Sequence, residues 1–153
     1  MQITVEQFID APQADVFAAA TDVDRWAEYI DDIVRVERLT DGPVGVGTRV
    51  RETRRIMKKE QTEEMEFTSF VPNESYTLGA NSCGCVFSTT CRLTPRDDGT
   101  VVTMDMHGQG TSFMTRAVGA VTGFMMKGMM RKCLERDLLC LKQRLEASPA
   151  TAL

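Results

Sequence analysis

Residues 100–146 read TVVTMDMHGQGTSFMTRAVGAVTGFMMKGMMRKCLERDLLCLKQRLE. The hydrophobic repeat changes inside this stretch. Up to His107 the side chains alternate, Val102, Met104 and Met106 against Thr103, Asp105 and His107. That is the period of a strand with one buried face, and the apolar set should face the core. Gly108-Gln109-Gly110 ends it, Thr111 or Ser112 is suited to cap a helix, and Phe113 to Glu146 contains no proline. Leu134, Leu138, Leu141 and Leu145 then recur at i, i+4, i+7 and i+11, a single stripe on a helix of about 45 Å. A helix over roughly residues 112–146 is expected, and its stripe needs a partner surface.

The upstream sequence supplies one. Gln2 to Ile9 reads as a strand, and Ala11-Pro12 opens a short helix that buries Val16, Phe17 and Ala20. Asp22 is the expected N-cap of a second short helix carrying Trp26, Tyr29 and Ile30. Strands are expected over Ile33–Leu39, Gly47–Met57, Thr62–Val71, Ser75–Ala80, Val86–Leu93 and Thr100–His107. Turn signals separate them, including Lys58-Lys59-Glu60-Gln61 and Arg96-Asp97-Asp98-Gly99. About seven strands joined by short turns make an antiparallel sheet, so the class is α+β. In Thr62–Val71, Met65, Phe67 and Val71 oppose Glu66, Thr68 and Phe70. The inner face is undecided there unless a bulge near Phe70 resolves it. One domain is expected over 1–146, with a frayed tail at 147–153.

Composition narrows the function. A chain of 153 residues, 42% hydrophobic and 26% charged, is one ordinary globular domain. Its net charge of −4 lacks the basic excess of a nucleic-acid binder. The second short helix offers Asp24, Arg25, Glu28, Asp31 and Asp32 where a DNA-reading helix would carry basic residues. The most apolar segment, Phe113 to Met130, carries Arg116 and Lys127, so no integral membrane segment is expected. The first strand contains Glu6, Asp10 follows it, and no signal peptide is read, which makes the cytoplasm the expected location. Five cysteines form no disulfide framework. Cys83-Gly84-Cys85 lacks the spacing and the neighbouring histidine of a zinc site, so neither metal nor cofactor is expected.

The order is one strand, two short helices, six antiparallel strands and a long terminal helix. It resembles the helix-grip fold of the START-like superfamily, which holds polyketide cyclases/dehydrases and lipid-transfer domains. The carriers of the resemblance are Ile9-Asp10-Ala11-Pro12 with Val16-Phe17, Asp22 to Trp26, and Gly47-Thr48. They continue with Phe70-Val71-Pro72, Gly99-Thr100-Val101-Val102 and Leu141-Lys142. The resemblance implies a sheet curled around the long helix, with a cavity for a hydrophobic ligand between them. It does not by itself imply an activity, because one scaffold hosts many.

The candidate binding residues follow from this expectation. The first half of the long helix is apolar on nearly every side and interrupted by Gly119, Gly123 and Gly128. Flexible methionines fit an adaptable lining, ordinary core packing or a dimer surface. The expected ligand-binding residues are Trp26, Phe87, Met104, Met106, Val121, Met125 and Met129, around an apolar cavity of about 300–1,000 Å³. The charges of the third and fourth strands read first as cross-strand ion pairs on a solvated face. If Thr48, Val50 and Ile56 face inward instead, Glu52 and Arg54 on the same face are polar cavity candidates, and the pattern leaves that face open. Asp105 and His107 are close enough to pair but lie on the outer parity, and no catalytic residue is assigned. The expected function is binding of a small apolar molecule as carrier or sensor. The alternatives are a cyclase/dehydratase-like enzyme in the same cavity, or a protein-interaction module using the Met-rich helix. A homodimer is compatible with each.

Overall fold

The computed structural model describes residues 1–82 and 84–147, apart from the side chains of residues 118–122. Seven strands form one antiparallel sheet: β1 (Gln2–Ile9), β2 (Ile33–Arg38), β3 (Arg49–Ile56), β4 (Lys59–Val71), β5 (Ser75–Ser82), β6 (Cys85–Arg96) and β7 (Gly99–Gly110). Their spatial order is β1-β7-β6-β5-β4-β3-β2, so the first strand closes against the last. Between β1 and β2 lie α1 (Gln13–Ala20), a 3₁₀ turn (Val23–Arg25) and α2 (Trp26–Tyr29). The long helix α3 (Phe113–Glu146) follows β7, as the change of period requires. Ser112 is its cap, paired with Thr115 in a reciprocal capping box. The expected tail lies mostly outside the described residues, as does Cys83.

Three local expectations need correction. Asp22 precedes the 3₁₀ turn and makes no side-chain cap bond, and α2 is a single turn. The β3–β4 turn is tighter than the polar run suggests. Met57 and Lys58 both take positive φ, 51° and 68°, the pairing that matches hairpin twist, so β4 already begins at Lys59. The closing Gly108-Gln109-Gly110 also remains in the ladder, opposite Phe87, Val86 and Cys85.

In β4 the register shifts between Phe67 and Ser69. This bulge turns both Phe67 and Phe70 inward, where their rings meet edge-on with centroids 6.0 Å apart. Phe17 and Tyr76 complete the cluster. Two glycines are steric requirements. A Cβ on Gly99 would come within 2.6 Å of the Ile9 carbonyl, where β1 meets β7. Gly84 has φ +76°, and a Cβ there would strike Thr115 at the start of α3.

The second half of α3 is firmly seated. Leu134, Leu138 and Leu141 are buried in the same core as Ile3, Val5, Val16 and Val102. Lys142 donates to the Phe8 carbonyl at 3.0 Å and pairs with Glu146 at 2.6 Å. The Asp10 N–H donates to Glu146 at 2.9 Å and, with Lys142, holds that carboxyl below its ordinary range. This staple is therefore present at neutral pH and is lost as the pH falls through the lowered value. Leu138→Ala should cost about 2–5 kcal/mol in urea unfolding. A loss of a few tenths would show that the stripe is not packed.

Candidate functional site

The charged third and fourth strands divide by face. On the outer face Arg49 and Arg51 reach Glu64 at 3.1 and 3.3 Å, and Arg51 also reaches Glu37. These pairs are exposed and contribute under about 1 kcal/mol each. On the inner face stand Val50, Glu52 and Arg54, and the last two meet a residue that sequence reading missed. Arg54 Nε donates to Glu52 at 3.0 Å, while Nη1 and Nη2 donate to Asp137 of α3 at 2.8 and 3.0 Å. The three side chains are only 15%, 11% and 14% exposed. Asp137 sits three residues after Leu134 and one before Leu138, inside the buried arc of the helix. Its position on the leucine face was the available signal.

The triad holds one cation and two carboxylates. Burial works against the Arg54 charge, but Asp137 and Glu52 outweigh it and hold the guanidinium above its ordinary pKa. Burial pushes the Asp137 carboxyl up, Arg54 opposes this, and Glu52 adds to the rise. The fork geometry bolts β3 to α3 and sets the roll of the helix. Nearby, burial raises the Tyr76 hydroxyl well above its ordinary value and Cys91 up to about 12, and the two hydrogen-bond each other. Cys91 is thus an inert buried thiol at neutral pH.

Beyond the triad the inner face is apolar. Met65, Leu78, Met104 and Met106 are half-buried against the core, and Phe87 is half-buried across from Gly108. The expected parity of β7 holds, with Val102 fully buried and His107 exposed. Asp105 does not pair with His107. It is held by Arg92 on β6 and Thr4 on β1.

The remaining candidates fall in different places. Trp26 is buried in the short-helix corner, with Nε1 donating to the Ala20 carbonyl and its ring 6.4 Å from Phe67. It closes that corner and belongs to the packed core. Met125 is exposed to solvent. At 3.6 residues per turn it lies about 140° around the axis from Leu138, so the roll that seats the leucines turns it away. Met129 is half-buried, and its neighbour Met130 packs against the core instead. Val121 lies outside the described residues. Phe124 falls within about 40° of Leu138 around the axis, yet it too is exposed. The helix has therefore left the sheet by that point. Among the described residues, none from Ala117 to Met130 makes a side-chain hydrogen bond or ion pair to the sheet. One solvent-open concavity of about 590 Å³ lies across β3–β6. It joins Met65, Ala80 and Phe87 to the charged Arg49, Arg51, Glu64 and Glu66.

A seven-stranded sheet gripping one terminal helix, with an uncovered apolar inner face, fixes the comparison. The family model described as polyketide cyclase/dehydrase and lipid transport matches residues 1–146. The chain belongs to that family. Among solved structures it is similar to TTHA0849 from Thermus thermophilus, with a TM-score of 0.77, 20% identity, and coverage of 97% of this chain and 99% of that one. A START superfamily protein from Mycobacterium smegmatis gives a TM-score of 0.79 at 14% identity, covering 95% and 97%. The di-domain ARO/CYC BexL from the BE-7585A biosynthetic pathway gives 0.80 at 17% identity, covering 97% of this chain and 51% of that one. At these identities the likeness speaks for the fold alone. No curated protein sequence matches the chain. No helix among the described residues is long and apolar enough to cross a membrane.

Proposed function

We propose that this family member binds one small hydrophobic molecule, lipid-like, aromatic or polyketide-like, and acts as a carrier or sensor. The molecule lies on the inner face of the sheet beneath the first half of α3. The observation that carries the reading is the apolar surface of Met65, Leu78, Phe87, Met104 and Met106, which the helix leaves incompletely covered. The Glu52–Arg54–Asp137 triad ends this surface and meets the polar end of the ligand. Met129 belongs to the helix side of the site.

The alternative is a cyclase/dehydratase-like enzyme, and one observation favours it: the triad is a buried set of charged groups beside an apolar surface. The carrier reading is preferred because Nε, Nη1 and Nη2 of Arg54 are already engaged within the protein. General acid/base work needs a titratable group free to reach the substrate.

The test is titration with an environment-sensitive apolar dye. Saturable binding near one site per chain is expected, weakened about tenfold or more by the filling change Met106→Trp. Binding that never saturates, or ignores substitutions at Met104, Met106 and Phe87, would remove the site. Native mass spectrometry then separates the two readings. A retained molecule recovered unchanged supports the carrier, whereas loss of the mass of one water on incubation supports the dehydratase.

A further inference from the structure

The first half of α3 carries a run of large apolar side chains exposed to solvent. Phe113, Met114, Phe124 and Met125 are 86%, 75%, 90% and 81% exposed. With Ala117 and Gly128, also exposed, they fall within a sector of about 120° around the helix axis. Large aromatic and thioether side chains at such exposure are costly unless something covers them.

The charges around this sector identify what fits. From Gly108 to Leu134 the sequence contains no aspartate or glutamate, but it contains Arg116, Lys127, Arg131 and Lys132. Arg116 and Lys127 border the sector on one edge, and Lys132 lies at its far end. Lys127 and Lys132 make no ion pair among the described residues. Arg116 donates to the Gly110 carbonyl, a bond that leaves its positive charge in place, whereas Arg131 donates to the Thr4 carbonyl and pairs with Glu135 at 4.0 Å. A chain with net charge −4 thus sets Arg116, Lys127 and Lys132 around this exposed apolar stripe, with no carboxylate from Gly108 to Leu134. Two copies meeting on this stripe about a two-fold axis would bring like charges together.

We propose that the stripe is a docking surface for an anionic lipid bilayer. Phe113, Phe124, Met114 and Met125 enter the headgroup–acyl boundary, and Arg116, Lys127 and Lys132 meet the lipid phosphates. This is the chemistry of an interfacial amphipathic helix, which lies on a membrane without spanning it. The proposal goes beyond the ligand reading and does not rest on it.

Co-sedimentation of the full chain with phosphatidylcholine vesicles, with and without phosphatidylglycerol, tests it. The protein should pellet with the anionic vesicles, remain in solution with phosphatidylcholine alone, and be released at least about tenfold by high salt. Phe124→Glu with Met125→Glu should abolish pelleting. Lys127→Glu with Lys132→Glu should weaken it at least about tenfold. Both pairs alter exposed side chains, so circular dichroism and Tm should stay at wild-type values. No pelleting with either vesicle, equal pelleting with both, or wild-type pelleting by both paired variants would overturn the proposal. A concentration-dependent dimer that Phe124→Glu with Met125→Glu splits would overturn it in favour of a second copy.

Discussion

Arg54→Ala should lower the unfolding free energy by about 3–5 kcal/mol, read from the urea midpoint at unchanged m. The substitution removes the one cation that, among the described residues, meets both Glu52 and Asp137, and leaves two buried carboxylates facing each other. Ionised groups held out of water without a partner are far costlier than the pair itself is worth. The companion experiment replaces all three residues with apolar ones, Arg54→Met, Glu52→Met and Asp137→Leu. That variant should be near wild-type stability or above it, because desolvation of all three charges disappears together. If the triad also receives the polar end of a ligand, the triple variant keeps apolar dye binding and loses preference for ligands with a polar terminus. A cost below about 1 kcal/mol for Arg54→Ala would show that water reaches the triad and that it does not bolt the helix.

Phe67→Ala should cost about 3–5 kcal/mol by the same measurement. Phe67 is fully buried, with the rings of Tyr76, Phe70 and Trp26 at 5.6, 6.0 and 6.4 Å. Those neighbours are fixed from elsewhere: Trp26 by its bond to Ala20, Phe70 by the bulge, Tyr76 by its bond to Cys91. They cannot collapse into the space, so the cavity persists and its cost adds to the lost burial. Phe67→Leu, which keeps much of the volume, should recover more than half of the loss. A cost near 1 kcal/mol for the alanine variant would mean that the corner repacks.

The inner face of the sheet is partly legible in the sequence. Met104 and Met106 share a parity with Val102, and alternation alone directs all three inward. Glu52 and Arg54 share a parity with Val50, but alternation left the inward face of their strand open, and only the fold puts both on the inner side. The first half of α3 defeated the same reasoning. A periodic pattern names a face only when the other faces are polar, and Val118 to Met130 is apolar on nearly every side. Met125 and Met129 were therefore indistinguishable from Met130. Asp137 was passed over because a carboxylate beside leucines reads as a boundary of the stripe rather than a member of it.

Local pattern determined the elements of this protein. The strands, the long helix, the buried leucines and the outward ion pairs all follow from residues a few positions apart, because periods of 2 and 3.6 repeat within single elements. Tertiary structure alone decided three things. It joined Arg54 to Asp137 across a sequence separation of 83 residues and thereby set the roll of α3. It placed the bulge that brings Phe67 and Phe70 to one side of β4. It left Phe124 exposed while the leucines further along the same helix stayed buried. Each depends on which distant surface a residue meets, and an apolar side chain is as well suited to a core, a ligand or a bilayer until the fold shows which of them it faces.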